Sequence, residues 1–167
     1  LPRPLQRADA APVPARFDAD ALVQIVHNLL DNAEKYSRDA DDRRAVVRVD
    51  APGGRPRMIL ADGGPGLPRP LQRRAFKPFA RGAAPDGPAG LGLGLALVNA
   101  LARAQDGRVT YCGGDAGGRD ALPNDLPDGA CFVLTLPPAH DARSHLARRR
   151  DADDGKHAAI VDRAAGG

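Results

Sequence analysis

The sequence predicts an α+β fold, a two-layer sandwich in which helices cover one face of a mixed, mostly antiparallel sheet. Two observations lead to this prediction: amphipathic helical segments stand between pairs of short strands, and the strands of each pair are consecutive, as in hairpins, with a long loop joining the second pair. The chain has 167 residues and no internal repeat, which is enough for one domain with its own core. We expect a linker or the end of a preceding domain at 1–15, a domain at 16–138 and a disordered polar tail at 139–167.

The first helix is predicted to begin at Ala19, with Asp18 as its N-cap, and to end at Tyr36. Apolar residues recur along it at intervals of three and four, which predicts one core-facing stripe. The stripe consists of Leu22, Ile25, Val26, Leu29, Leu30 and Ala33. The other elements are predicted in chain order as strands at 45–50 and 57–61, a short helix at 70–76, a mobile loop at 82–89, a helix from about 90 to 107, and strands at 108–112 and 131–136.

Composition and charge exclude several classes of protein. The formal net charge is +3 and aromatic residues make up 4%, so the chain has no basic surface interleaved with aromatic residues for nucleic acid. No apolar run reaches the ~18 residues that a membrane span needs. Cys112 and Cys131 lie in strand-like runs without metal-ligand spacing, which predicts small buried thiols. We therefore expect a cytoplasmic domain without direct membrane contact, whether or not the full-length protein is anchored in the inner membrane.

A second, polar stripe runs along the first helix. Asn28, Asn32 and Lys35 are spaced four and three residues apart, so they point the same way, with Tyr36 at the edge of the stripe. A solvated surface would explain such a stripe, although asparagine is a poor helix former. Carboxamide oxygens can ligate Mg²⁺ and a lysine can meet a phosphate, so the stripe also suits a bound nucleotide.

A first glycine-rich segment follows a predicted buried strand. Asp62 ends this strand, where a carboxylate is costly unless it accepts hydrogen bonds. Gly64 and Gly66 let the backbone turn and approach a flat ligand closely, and the exocyclic amine of adenine is a suitable donor to the carboxylate. An ordinary Asp-Gly turn is the alternative interpretation.

A second glycine-rich segment opens the next long helix. Gly90, Gly92 and Gly94 lie where free amides and the positive end of the helix dipole favour phosphate. No βαβ unit surrounds them, which argues against a dinucleotide-binding fingerprint of the Rossmann type. The loop before them is predicted to close as a lid over the phosphates. Phe76 and Phe79 flank a proline just before this lid and are predicted to anchor its hinge in the core.

These four segments, taken together and in order, resemble the N, G1, F and G2 boxes of the ATP-binding catalytic domain of sensor histidine kinases. That domain belongs to the wider gyrase/Hsp90/histidine kinase/MutL ATPase superfamily, and the resemblance covers residues 16–138. It implies a Bergerat-type ATP-binding fold with ATP and Mg²⁺ as the bound groups.

The resemblance also implies a role for each matching residue. Asn32 would hold Mg²⁺ through its side-chain oxygen, and Asn28 would assist at the metal or the phosphates. Lys35 would contact the phosphate chain, Tyr36 would pack against the base, and Asp62 would accept from the adenine amine. The residues implied to act in catalysis are Asn28, Lys35 and Arg81.

The remaining implied contacts lie in the other boxes. Gly64 and Gly66 would line the base and the sugar, Phe79 belongs to the implied ATP-binding set, and Arg81 would stand near the terminal phosphate. The segment that would shape the lid and present amides to the phosphates consists of Gly90, Leu91, Gly92, Leu93 and Gly94. The segment at 113–129 is longer than is typical of the family, which leaves the register of the last hairpin open.

Finally, the resemblance implies a reaction. The γ-phosphoryl group of ATP would pass to a histidine on a dimerisation/phosphoacceptor domain absent from this chain, and from there to the receiver domain of a response regulator. Two alternatives stay open. One is an anti-sigma-factor-like serine kinase, whose acceptor is a serine on a partner, and the other is a non-catalytic nucleotide-sensing or partner-binding module.

Overall fold

The computed structural model describes residues 12–80, 92–113 and 118–139. Its helices are α1 (Ala19–Ser37), α2 (Arg69–Gln72) and α3 (Gly94–Ala104), and its strands are β1 (Ala45–Asp50), β2 (Arg57–Asp62), β3 (Arg108–Tyr111) and β4 (Cys131–Thr135). The predicted loop at 82–89 and residues 140–167 of the predicted tail lie outside the described residues. No helix in the described parts of the chain has the length and apolar character that a membrane crossing requires.

Helix α1 forms where the sequence predicts it and ends one residue later, at Ser37. The carboxylate of Asp18 accepts a hydrogen bond from the backbone amide of Ala21 at 2.8 Å, which satisfies one of the free donors of the first turn. The apolar stripe faces the core, and its central members Ile25 and Leu29 are fully buried. The predicted cap and stripe are therefore confirmed.

The four strands form one sheet in the order β1-β2-β4-β3. The first hairpin pairs Val47 with Leu60, and Leu60 in turn pairs with Phe132 of the central neighbour β4. The second predicted pair is also present, with Tyr111 of β3 opposite Phe132. Every pairing among the described strands is antiparallel, so the expectation of a mostly antiparallel sheet is confirmed, and these strands contain no parallel pair.

Helices α1 and α3 pack together on one face of the sheet, as predicted for a two-layer sandwich. The main core lies between these layers. Its buried members are Ile25, Leu29, Ala33, Met58, Leu60, Val98, Ala102, Val109, Ala130, Phe132, Leu134 and Leu136. Because alternate residues of a strand point to opposite faces, Met58 and Leu60 reach this core while Ile59 and Ala61 point to the other face.

The long segment before β4 covers that other face, which the sequence does not predict. Leu122 and Leu126 pack there against Ile59, Cys131 and Val133. The segment is tied to the first hairpin by an ion pair between Arg48 and Asp125, 2.9 Å from Nη1 to Oδ1, and by hydrogen bonds from the Arg57 guanidinium to the carbonyl of Ala121. Its length therefore reflects a second, smaller core behind the sheet.

Cys131 is fully buried in this smaller core, and Cys112 beside it is partly buried. Burial raises the pKa of the Cys131 thiol to about 11. The prediction of small buried thiols is confirmed for Cys131, and Cys112 is more exposed than predicted.

Two helices differ in extent from their predictions. Helix α2 ends at Gln72, and the chain continues to Phe79 as turns rather than as the predicted helix to Phe76. Helix α3 begins at Gly94 and ends at Ala104, and the amide of Gly107 then donates to the carbonyl of Ala102 at 2.8 Å to close its last turn.

The two ends of the predicted domain lie side by side. Ala15 forms an isolated antiparallel bridge with Pro138, and the amide of Arg16 donates to the carbonyl of Pro137 at 2.9 Å. The guanidinium of Arg16 also pairs with Asp106 at 3.4 Å. The bounds at 16 and 138 remain a prediction.

Candidate functional site

An open cleft lies between the C-terminal end of α1 and the turn after β2. Its volume is about 490 Å³, within the range of small-molecule sites. The cleft is lined by Lys35, Tyr36, Asp39, Ala40, Gly63, Gly64 and Pro65. The polar stripe of α1 and the first glycine-rich segment, which are far apart in the sequence, therefore meet here.

Asp62 lies at the base of this turn with only 3% of its surface exposed. Its Oδ1 atom accepts hydrogen bonds from the backbone amides of Gly64, at 2.8 Å, and Ala130, at 3.1 Å. Burial raises the pKa of the Asp62 carboxyl, and these two hydrogen bonds oppose the rise. Because both amides reach the same oxygen, the carboxyl is held in one orientation while its Oδ2 atom is not engaged by either of them.

Gly64 brings the end of α1 against this carboxyl. A Cβ atom at this position would stand 3.0 Å from both Asp62 Oδ1 and the carbonyl oxygen of Tyr36, closer than nearly all real Cβ contacts. Any larger residue would push the carboxyl or the helix end away. The glycine is therefore required by the close approach of α1 to this turn, and the predicted approach to a flat ligand remains a prediction.

Tyr111, which the sequence analysis missed, holds the rest of this segment. Its hydroxyl oxygen accepts from the amide of Leu67 at 2.9 Å and would lie 3.0 Å from a Cβ on Gly66, whose φ is +70°. Its ring packs edge-on against Phe132 with 5.5 Å between ring centroids. Burial raises the pKa of the hydroxyl, so it remains protonated. The one sequence signal was a tyrosine ending a strand, which is too common to single out.

Tyr111→Phe is expected to lower the free energy of unfolding by about 1 kcal/mol because the partly buried amide of Leu67 loses its acceptor. Affinity for an ATP analogue should fall a few-fold, since the glycine segment loosens. Chemical denaturation and titration calorimetry measure the two effects. Thr110→Val, which removes a hydroxyl from the same strand on the smaller core's side, is the control. Wild-type affinity and stability in Tyr111→Phe would show that the hydroxyl does not hold the segment.

The two asparagines of the polar stripe face the start of α3. A Cβ on Gly94 would stand 3.2 Å from Asn28 Oδ1 and 4.0 Å from Asn32 Nδ2. Asn28 Nδ2 donates to the carbonyl of Gln24 at 2.8 Å, which turns its oxygen towards α3. The structure therefore brings Asn28, Asn32 and Gly94 close together.

Lys35 and Tyr36 complete the wall of the cleft. The ammonium of Lys35 lies 5.6 Å from the centroid of the Tyr36 ring, within the range of a cation–π contact. Tyr36 is 46% exposed and lines the cleft, so its ring can pack against a flat ligand. His27, one turn before Asp31, points away as an exposed pair with that carboxylate, 3.1 Å from Nδ1 to Oδ2.

The predicted anchor residues Phe76 and Phe79 differ from one another. Phe76 packs into the main core and meets Phe132 edge-on at 6.3 Å, as predicted. The prediction is wrong for Phe79, which is 70% exposed because its φ of +60° turns the side chain outward. The amide of Phe79 donates to the carbonyl of Gly92 at 3.1 Å, so this residue joins the two ends of the predicted lid.

The second glycine-rich segment is described only in part. Arg81, Gly90 and Leu91 lie outside the described residues. Gly92 has a φ of +67°, and Leu93 is exposed directly before α3. In the described parts of the chain, no three histidine, cysteine or acidic residues are grouped to hold a metal ion.

Comparisons with known proteins identify the family. Residues 17–140 match the model of the histidine kinase-, DNA gyrase B- and HSP90-like ATPases. The sensor protein KdpD of Mycobacterium tuberculosis (strain ATCC 25618 / H37Rv) is 33% identical over 72% of this chain, but the match makes up 14% of its own length. The chain therefore spans a small part of the curated relatives that it matches.

Solved structures agree in fold and sequence. The mycobacterial sensor histidine kinase MprB is 31% identical with a TM-score of 0.53, covering 72% of this chain and 74% of the other. Full-length ShkA in complex with AMPPNP is 32% identical with a TM-score of 0.51, covering 71% of this chain and 22% of ShkA. The chain belongs to the family of histidine kinase-, DNA gyrase B- and HSP90-like ATPases, and it has the fold of the ATP-binding catalytic domain of a histidine kinase.

Proposed function

We propose that this domain binds ATP with Mg²⁺ and transfers the γ-phosphoryl group to a histidine on a separate dimerisation/phosphoacceptor domain, from which it passes to a response-regulator receiver domain. The observation that carries the proposal is the meeting of Lys35 and Tyr36 with the first glycine-rich segment at one cleft. The buried, oriented carboxyl of Asp62 lies at the base of that segment. The carboxamides of Asn28 and Asn32, on the same helix as Lys35, face the start of α3.

The base would be held by Asp62, Tyr36 and the first glycine-rich segment. The backbone amides fix the orientation of the carboxyl, so accepting from the adenine amine requires no further ordering of this side chain. The tight approach of Gly64 leaves a flat, backbone-lined wall, and the exposed ring of Tyr36 covers the base from the side of α1.

The carboxamides fit Mg²⁺ only as partial ligands. They are neutral oxygen donors, of the kind that Mg²⁺ accepts, and the described residues contain no group of three histidine, cysteine or acidic side chains that could hold the ion by itself. We therefore propose that Asn32, assisted by Asn28, supplies part of the coordination sphere and that phosphate oxygens supply the rest. Bound there, Mg²⁺ would offset the charge that grows on the phosphates during transfer.

The protein's part in the reaction is to position the phosphates of ATP and to neutralise their charge. Lys35 would contact the phosphate chain from α1, and Arg81 would approach the terminal phosphate from the lid. The amides of the segment from Gly90 to Gly94 would meet the phosphates, and the closed lid would keep water from the γ-phosphoryl group.

An exposed apolar surface beside the lid supports docking of an acceptor domain. Phe79, Leu93 and Leu97 are all exposed there, with exposed fractions of 40% or more. Three exposed cations, Arg73, Arg74 and Lys77, lie just before Phe79 in the chain. Large apolar side chains exposed together mark interaction sites more often than plain surface.

Asn32→Ala is expected to remove most of the Mg²⁺ dependence of nucleotide binding. Wild type should bind a non-hydrolysable ATP analogue more tightly with Mg²⁺ than without it, and Mg²⁺ alone should not bind measurably, because the carboxamides are neutral. Titration calorimetry in each condition measures this. Asn124→Ala, on the segment behind the sheet, is the control. Equal Mg²⁺ dependence in Asn32→Ala and wild type would rule out Asn32 as the metal ligand.

Transfer to an added acceptor tests the reaction itself. The purified chain, mixed with labelled ATP and the dimerisation domain of a sensor histidine kinase, should produce acid-labile phosphohistidine on that domain. Acid-stable phosphoserine on an anti-sigma-factor antagonist would instead identify a serine kinase. Nucleotide binding without transfer to either acceptor would identify a non-catalytic module.

A further inference from the structure

Two cysteines stand directly opposite one another, at the end of β3 and the start of β4. Tyr111 pairs with Phe132 in the antiparallel register, so the next pair along the two strands is Cys112 with Cys131. The amide of Cys112 donates to the carbonyl of Cys131 at 2.8 Å, which continues the ladder to this pair. Both side chains pack in the smaller core behind the sheet, and both thiols are free. The two thiols therefore lie side by side on one face of neighbouring strands.

The spacing of such a pair suits a disulfide. Opposite residues of an antiparallel pair that share a hydrogen bond have Cα atoms about 5.5 Å apart, and a disulfide joins Cα atoms about 4.4–6.8 Å apart. A disulfide also brings the Cβ atoms to about 3.8 Å, whereas they are roughly 5 Å apart in an undisturbed pair. Joining Cys112 to Cys131 therefore requires a movement of about 1 Å at the strand ends and no rearrangement of the sheet.

The two thiols differ in a way that fits stepwise oxidation. Cys112 is only partly buried and can meet a small oxidant from solvent, whereas Cys131 is fully buried. Burial, and after it the neighbouring Cys112, raises the pKa of the Cys131 thiol to about 11. Cys131 therefore stays protonated and does not react first. The arrangement is that of an attacking thiol with a second thiol held beside it.

We propose that Cys112 and Cys131 form a reversible disulfide in response to peroxide, and that this bond loosens the anchoring of the first glycine-rich segment. The thiolate of Cys112 attacks one peroxide oxygen, so that an S–O bond forms, the O–O bond breaks and the departing hydroxide takes up a proton as water. The Cys131 sulfur then attacks the Cys112 sulfur, and the S–O bond breaks. The leaving hydroxide takes the proton of Cys131 and becomes a second water, so that two electrons have passed from sulfur to peroxide.

Each cysteine directly follows a residue that holds the glycine segment. Cys131 follows Ala130, whose amide donates to Asp62 Oδ1 at 3.1 Å. Cys112 follows Tyr111, whose hydroxyl accepts from the backbone of the segment at 2.9 Å. Drawing the two Cβ atoms together displaces both strand ends, and a hydrogen bond already 3.1 Å long weakens when it is stretched further. Oxidation therefore loosens the hold on the carboxyl of Asp62.

Peroxide treatment of the purified chain tests the disulfide and its effect. The intact protein should lose the mass of two hydrogen atoms, peptide mapping should find Cys112 joined to Cys131 within one chain, and dithiothreitol should restore both thiols. In the oxidised form, the amides of Gly64 and Ala130 should exchange with deuterium about five-fold faster, the factor that one lost hydrogen bond gives. Cys112→Ser, which removes the attacking sulfur at nearly the same size, is the control and should show neither change.

The consequence for nucleotide binding rests on the proposed function. Oxidised wild type should bind ADP about five-fold more weakly than reduced wild type, and dithiothreitol should restore the affinity. Cys112→Ser should bind ADP equally well before and after peroxide.

The results that would overturn the inference are distinct from those that would overturn the proposed function. Two thiols that stay free, a higher oxide on Cys112 alone, or a disulfide between two chains would show that the pair does not react as proposed. A disulfide within one chain that leaves amide exchange unchanged would show that the bond does not loosen the segment. A reduced, folded wild type that binds no ADP would overturn the proposed function alone, because mass and amide exchange still decide the inference.

Discussion

Asp62→Asn is expected to lower the affinity for an ATP analogue by at least about ten-fold while raising the midpoint of thermal unfolding. Both backbone amides reach the Oδ1 atom, and an asparagine oxygen can accept from both, so the local structure survives. The buried charge disappears, which removes the cost of its desolvation. The amide nitrogen, however, now meets the adenine amine as donor against donor.

The pH dependence follows from the sign of the pKa change. The folded-state pKa of Asp62 lies above its ordinary value of 3.8, so the fold favours the protonated carboxyl. The resulting destabilisation is complete above the folded-state pKa and vanishes below the ordinary one. The stability advantage of Asp62→Asn should therefore shrink as the pH falls through this acidic window. Nucleotide affinity of wild type should fall over the same window, since the acceptor becomes protonated.

Thermal unfolding followed by circular dichroism and titration calorimetry with the analogue measure the two effects. Asp125→Asn, which removes an exposed carboxylate paired with Arg48, is the control and should change neither quantity appreciably. A variant Asp62→Asn that binds the analogue as tightly as wild type would mean that the carboxyl is not the adenine acceptor.

Gly129→Ala is expected to cost about 3 kcal/mol of stability or more, the largest effect of any substitution considered. A Cβ at this position would lie 2.5 Å from both the carbonyl oxygen of Asp62 and the amide of Gly64, and closer still to the carbonyl oxygen of Gly64. These are backbone atoms, so nothing nearby can rotate away. The amide of Gly129 also donates to the carbonyl of Asp62 at 2.8 Å, and separating the segments would break this bond.

Gly53→Ala is the matched control for Gly129→Ala. Gly53 has a φ of +60° and open space where its Cβ would stand, so only backbone strain of about 1 kcal/mol is expected. Urea denaturation compares the two variants, and calorimetry should find nucleotide binding lost only in Gly129→Ala. Similar small losses of stability in both would contradict the close packing described around Asp62.

Much of the fold follows from local sequence signals. Both bounds of helix α1 could be predicted to within one residue because its N-cap residue and the spacing of its apolar residues lie in one continuous segment of the sequence. The strands could be predicted because short β-prone runs alternate with turn residues. The polar stripe and the glycine segments likewise indicate the candidate site, because each combines residue types that are unusual for plain surface or turns.

The contacts that hold the site could not be predicted in this way. Ala130 and Tyr111 act on the first glycine-rich segment from 68 and 44 residues away, and nothing in their own surroundings marks them. The outward turn of Phe79 depends on a positive φ that its neighbours do not require. Leu122 and Leu126 cover the second face of the sheet through tertiary packing, and the sequence around them has no periodic apolar pattern that would predict this.

The distant anchors of Asp62 have a consequence for the order in which the domain can form. During synthesis, the stretch from α1 to the turn after β2 emerges first, and it contains every residue of the cleft lining. The carboxyl still lacks a fixed orientation until Ala130 has emerged and β4 has inserted between β2 and β3. Contacts of such long sequence separation form late, because loop closure must precede them. Nucleotide binding should consequently appear only with the completed sheet, so that a bound ligand reports the folding of the whole domain.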